Sequence, residues 1–237
     1  MTSRISRVQP DRVEVRGRDL TGELMGAVTF TEYFHLLLTG RDATEDERYF
    51  LDLLLVSIAE HGMMPSNVAA RMTLAADPGS LHGAVAAGIL GAGPVLLGTS
   101  EACARLLEEA LAVGVDPDIL VQRLRESGEK VPGFGHPVHR PVDPRTERIL
   151  VLSDERGVSG RHVEYARRLA VQLAPLPMNV AMAIAAVMLD LGFQADVVKS
   201  VPILARTAGL LAHLAEERDR PSGFLLARAA EEAAGTA

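Results

Sequence analysis

The chain has 237 residues, 48% hydrophobic, 4% aromatic and 23% charged, with a net charge of −7 and one cysteine. That composition suits a globular chain with one sizeable core or two modest lobes, built without tryptophan from Leu, Val, Ala, Ile and Met. The negative charge argues against a general nucleic-acid or anionic-membrane surface, and a lone Cys103 removes internal disulfides and multi-cysteine metal sites.

The N-terminus has no apolar h-region, and the longest apolar run, GAVAAGILGAGPVLLG (83–98), is short for a bilayer and broken by glycines and Pro94. A cytoplasmic protein with no membrane or nucleic-acid partner is therefore expected. RVEVRGRDL predicts an extended start, at most a short hairpin. Helical periodicity then takes over. Residues 44–62 open with a Thr/Glu capping box and close on glycine, and 65–77 start with proline in the first turn. Residues 80–93 are rich in Gly and Ala at close spacing, as in a helix crossed tightly by another. The stretches 98–114, 116–129, DPRTERILVLSDERG and GRHVEYARRLAVQLA are amphipathic. Residues 177–192 are apolar nearly all round and should be buried on every side. VPILARTAGLLAHLAEERD and a C-terminal helix complete an all-α pattern, with 80–93 and 177–192 expected at the centre.

One segment cannot be helix. VPGFGHPVHRPVDPR (131–145) holds four prolines and two glycines, so it is an ordered loop between helices. One reading is a stiff connector with solvated charges. The other is an anion-binding loop: Gly133 and Gly135 let backbone approach a ligand, Arg140 and Arg145 offer guanidinium forks, and His136 donates to a carbonyl or hydroxyl oxygen. His136 and His139 are separated by Pro137 on a non-helical loop with Asp143 the one nearby carboxylate, so no metal site is expected. Arg206, and likewise Arg71, is a charge on an apolar helix and should meet an anion, from the protein or from a ligand. His61 ends a helix, where histidine is a common dipole partner or a functional group. Arg218 and Arg220 read as a solvated run; His82, His35, His162 and His213 read as ordinary helix residues.

Together these motifs resemble the citrate synthase superfamily. The loop is similar to VPGYGHxVxRxxDPR almost residue for residue, and AEHGMMPSNVAAR to DHxxNASTxxAR. GAGPVLLGTSEA stands in the place of GPLHGGANEA, NVAMA in that of NVDFY, ILARTAGLLAH in that of IARTAGWLAH, and RGRDL in that of RGYDI, all in the family's order. The short chain and its GFGHPVH loop most resemble the compact citryl-CoA lyases, relatives of the C-terminal module of ATP-citrate lyase.

The resemblance implies an all-α, two-domain homodimer, with a large domain from 1–97 and 198–237 and a small domain from 98–197, and the active site between them. It implies coenzyme A or acetyl-CoA as substrate together with a di- or tricarboxylate. His61 and His136 would be catalytic at the oxaloacetate or citryl end. Arg145 and Arg206 would clamp carboxylates, with Arg71 beside them and Arg220 reaching across a dimer interface. Arg140 would meet a CoA phosphate, and the backbone of Val131, Pro132, Gly133, Phe134 and Gly135 the adenine. It leaves His139 without a role. His82 looks like the family's LHG motif but lies too early, before GAGP.

Two departures stand out: Leu96 replaces the family's catalytic histidine, and Ala181 its catalytic aspartate. Asp190 is more than two helical turns from Ala181 and cannot replace it. Three activities stay open: cleavage of citryl-CoA or a related 3-hydroxyacyl-CoA, Claisen-type chemistry on another 2-oxo acid, and non-catalytic CoA or carboxylate binding.

Overall fold

The computed structural model describes residues 3–60, 62–93 and 97–235, and its contacts divide the chain into two units, Met1–Leu53 and Leu54–Ala237. His61, Pro94, Val95 and Leu96 lie outside the described residues.

In the first unit, β1 (Ser6–Val8), β2 (Val13–Val15) and β3 (Arg18–Asp19) form an antiparallel sheet in the order β1-β2-β3. The expected hairpin is present and gains a strand on its outer side. Arg16 and Gly17 take φ of 51° and 82°, the left-handed pair of a two-residue hairpin turn. An arginine tolerates that conformation here because its Nε donates to the carbonyl of Leu37 at 3.2 Å. A turn of π-helix, Leu20–Leu24, follows under the Asp19 cap, and then α1 (Phe30–Thr39). The periodicity reading passed over α1, although Thr29 and Glu32 form a complete capping box and Gly40 ends the helix at φ 80°. Val15, Leu24 and Leu36 make this unit's small core. In α2 (Glu45–Ala59), buried Glu47 meets the guanidinium of Arg41 and, at 3.5 Å, His35.

The second unit holds two groups of helices. In one, α3 (Pro65–Ala76), α4 (Leu81–Leu90) and α11 (Ser200–Asp219) enclose Ala70, Leu74, Ala84, Leu210 and Leu214. The close crossing expected from the Gly/Ala spacing is real: a Cβ on Gly88 would stand 2.7 Å from Leu210 and 3.1 Å from Ala70. Yet α4 is not central. It buries Ala84 and Gly88 on one face and leaves Leu90 81% exposed on another, because the small residues let neighbours approach from one side only. The last helix, α12 (Gly223–Ala233), packs on α3.

In the other group, α9 (Val180–Asp190) buries every residue from Met182 to Leu189, as its all-round apolar sequence predicts. Around it stand α5 (Thr99–Val113), α7 (Pro144–Glu155), α8 (Arg161–Leu173) and the short α10 (Ala195–Val198), with α6 (Pro117–Ser127) against α8. Ala195–Asp219 is long and apolar enough to cross a membrane by length and composition. Its α11 portion nevertheless buries Arg206 and Glu217 in protein contacts along with Val201, Ala205, Leu210 and Leu214.

Candidate active site

The loop between α6 and α7 is tied to the start of α9. Phe134 and Met178 form an isolated antiparallel bridge, the Gly135 N–H donates to Pro177 at 2.7 Å, and the Asn179 N–H donates to Gly133 at 2.9 Å. Asn179 is also the N-cap of α9: its Oδ1 accepts the Ala181 N–H at 3.0 Å while its Nδ2 donates to Gly135 at 3.0 Å. One side chain therefore starts the helix and staples the loop. Gly133 makes the approach feasible. It sits at φ +83°, and a Cβ there would stand 2.7 Å from both Cys103 Sγ and Met182 Cβ. Cys103 is fully buried, which pushes its thiol up to about 12 and makes it packing.

These ties fix His136. Its Nδ1 accepts the N–H of Val138 at 3.1 Å and of His139 at 2.9 Å, so the ring proton of the neutral form sits on Nε2. Burial pushes its pKa down, His139 and Arg145 push the same way, and Asp143 opposes them. The outcome is a neutral imidazole whose N–H donor is on Nε2. The His139 ring stacks on it, with centroids 4.4 Å apart and planes at 27°.

Asp143 is 1% exposed and caps α7 by accepting the Arg145 N–H at 3.1 Å. Its two oxygens also take the Arg145 guanidinium through Nε at 3.0 Å and Nη2 at 2.8 Å. The fork is thereby aimed before any ligand arrives. Burial raises the Asp143 pKa, but the Arg145 hydrogen bonds and charge outweigh it and hold the carboxyl ionised. His136, His139 and Asp143 bring ligand atoms within 4.8 Å of one another. However, His136 Nδ1 accepts two backbone N–H groups and both Asp143 oxygens hold the Arg145 guanidinium, so these lone pairs are already engaged within the protein.

Helix α11 supplies the opposite side. Arg206, Gly209, His213 and Glu217 recur on one helical face. Gly209 admits the end of α2: a Cβ would lie 2.0 Å from the Ala59 carbonyl oxygen. That contact brings Glu60 to α11, where its Oε2 is 2.9 Å from His213 Nε2 and its Oε1 accepts the Gly62 N–H at 2.5 Å. Arg206 is 6% exposed; burial lowers its pKa, Glu60 raises it, and Arg145 lowers it. The two guanidiniums thus feel each other's charge.

Several expected residues lie elsewhere. Arg71 turns inward at 3% exposure and spends all its donors on protein: Nε and Nη2 on His213 Nδ1, Nη1 on Glu217 and Ser222, and Nη2 also on Glu216. It builds the support behind the site and has no donor left for a substrate. Arg220 is exposed at the end of α11, fourteen residues and thus roughly 21 Å along the helix from Arg206, so within one chain it cannot join the clamp. Arg140 is exposed on the loop, and His82 is exposed on α4. Ala181 is half-buried in the first turn of α9 beside the stapled loop. His61 and Leu96 fall outside the described residues. Asp143, Asn179, Glu60 and His213 were not among the expected site residues. Two carried a readable signal, an Asp before Pro144 and an Asn before an apolar helix, both N-caps.

With this geometry in place, comparisons identify its relatives. The family model for the citrate synthase C-terminal domain matches residues 27–228. The structure of citryl-CoA lyase from Hydrogenobacter thermophilus aligns with a TM-score of 0.85 at 30% identity, covering 92% of this chain and 86% of that one. An ATP citrate lyase from Methanosaeta concilii, in complex with (3S)-citryl-CoA, shares the fold with a TM-score of 0.81 at 22% identity, over 94% of this chain and 40% of that one. The citrate/2-methylcitrate synthase of Bacillus subtilis is 30% identical over 198 residues, 80% of this chain and 53% of that protein. The chain spans about half the length of the curated relatives it matches.

Proposed function

The chain belongs to the citrate synthase family, and from that premise we propose that it is a carbon–carbon lyase. It cleaves citryl-CoA, or a related 3-hydroxyacyl-CoA, to acetyl-CoA and oxaloacetate or another 2-oxo acid. The observation that carries this reading is the neutral, backbone-locked His136, whose Nδ1 accepts two N–H groups and leaves its donor on Nε2, on the loop that also aims Arg145.

The chemistry follows from that geometry. Cleavage turns the C3 hydroxyl of citryl-CoA into a carbonyl through an alkoxide. A fixed neutral donor strengthens its hydrogen bond as negative charge grows on that oxygen, with no reorganisation at the moment of reaction. Arg145 and Arg206 hold the carboxylates bidentately and keep the reacting carbon at the imidazole. The backbone from Val131 to Gly135, with Arg140, takes the nucleotide end of CoA. The same reading includes His61 at the reacting oxygen, a homodimer in which a second protomer brings Arg220, the domain division at 97/98 and 197/198, and a cytoplasmic location. The lyase reading is supported by the structural likeness to the Hydrogenobacter lyase, which is also 30% identical in sequence.

The test is direct. Purified protein incubated with citryl-CoA should release oxaloacetate, read by coupled reduction, and His136→Ala should lower kcat by about 100-fold or more. No release at concentrations where CoA binds would overturn the lyase reading. A second reading, a non-catalytic homologue that binds CoA and carboxylate, is favoured by Ala181 in the place of the family's aspartate. There Ala181→Asp should create turnover where the parent has none.

A further inference from the structure

Cleaving citryl-CoA moves one proton from the C3 oxygen to the departing methylene carbon, and among the described residues the groups so far placed at the site leave that proton without a carrier; His61, outside the described residues, is assigned to the oxygen and not to the carbon. Ala181 has no ionisable group. Both Asp143 oxygens hold Arg145, and Asp190 caps α8 by accepting the N–H groups of Gly160, His162 and Val163 and the ring of His162. Glu60 is engaged by Gly62 and His213, and Cys103 is sealed in the core. His136 is locked as a neutral donor.

Among the described residues, the ring that remains is His139. It is half-buried, its own N–H is bonded to His136 Nδ1 at 2.9 Å, and its ring lies stacked on His136 at 4.4 Å. With the rings stacked at that distance, an oxygen held at His136 Nε2 would lie within reach of the His139 ring. A ring nitrogen of His139 also lies within 4.8 Å of the buried Asp143 carboxylate.

We propose that His139 is the proton carrier of this site, doing from the loop what the family's aspartate does from the start of α9; the proposal rests on the lyase reading above. His139 takes the proton of the C3 hydroxyl while the oxygen's electron pair closes the new carbonyl. The bond from C3 to the methylene carbon breaks, and its electron pair becomes the enolate of acetyl-CoA. His139 then returns the same proton to that carbon. Oxygen and carbon are attached to the same C3, so one imidazole serves both. Atoms and electrons balance with no water or co-reactant.

The test reads the carbon half of the transfer without needing cleavage. Acetyl-CoA is incubated with the protein in D2O, with L-malate filling the carboxylate clamp, and methyl-proton exchange is followed by NMR. The parent should exchange. His139→Asn should lose exchange by about 100-fold or more while CoA affinity, measured by calorimetry, stays within about threefold. In His139→Ala, added imidazole should restore exchange, which a packing role would not allow. No exchange by the parent, or exchange by His139→Asn within about threefold of it, overturns the proposal. A parent that exchanges but never releases oxaloacetate from citryl-CoA sinks the lyase reading and leaves the carrier standing.

Discussion

Gly133→Ala tests the contact on which the site geometry depends. The residue sits at φ +83°, where an L side chain costs about 1–2 kcal/mol. The new methyl would also stand 2.7 Å from Cys103 Sγ and 2.7 Å from Met182 Cβ, neither a flexible end that swings away. Overpacking of that kind adds roughly 1–3 kcal/mol, for a total of about 2–5 kcal/mol. Gly135→Ala is the control: it shares the left-handed backbone at φ +87° but its methyl would meet nothing within 4 Å. It should cost the backbone strain alone. Urea unfolding of both variants, followed by circular dichroism, gives the difference, and CoA titration should show weaker binding for Gly133→Ala as the loop lifts from Asn179. Equal destabilisation of the two variants would refute the claim that the loop is pressed against α5 and α9.

Three further outcomes follow from buried charge and sulfur. Arg71→Leu leaves Glu217 buried without its guanidinium and should destabilise the protein by about 3–5 kcal/mol, part of which Arg71→Leu/Glu217→Leu regains in a double-mutant cycle. Glu47 is pulled down to about 2: burial alone would raise it, but Arg41, the Thr44 N–H and His35 outweigh that. A carboxyl lowered from 4.5 stabilises the fold by about 3 kcal/mol above pH 4.5 and loses this as pH falls toward 2. The stability gap between the parent and Glu47→Gln should therefore close over that window, and a gap independent of pH would contradict the assignment. Cys103 should resist a thiol reagent at neutral pH and react once the chain is unfolded in urea, because its thiol stays protonated and enclosed.

Much of the architecture is legible in the sequence because it is local. Period, capping residues and proline positions mark the helices, and four prolines in fifteen residues mark the loop. Even α1, passed over by periodicity, announces itself through Thr29 and Glu32. The motif order likewise pointed to the citrate synthase family, which the match over residues 27–228 bears out.

What a residue does is another matter, because its partners come from far along the chain. Arg71 and Arg206 look alike in sequence, each a guanidinium on an apolar helix that must find an anion. The fold separates them: Arg71 meets Glu217, 146 residues away, while Arg206 shares the field of Arg145 and Glu60. His136 and His139 are equally indistinct until Nδ1 of one is seen holding two backbone N–H groups and the rings are seen stacked. Chain-local steric and hydrogen-bond preferences determined the elements from sequence alone. Only the tertiary structure decided which protein groups each charge meets, since burial and Coulombic neighbours exist only once those elements pack.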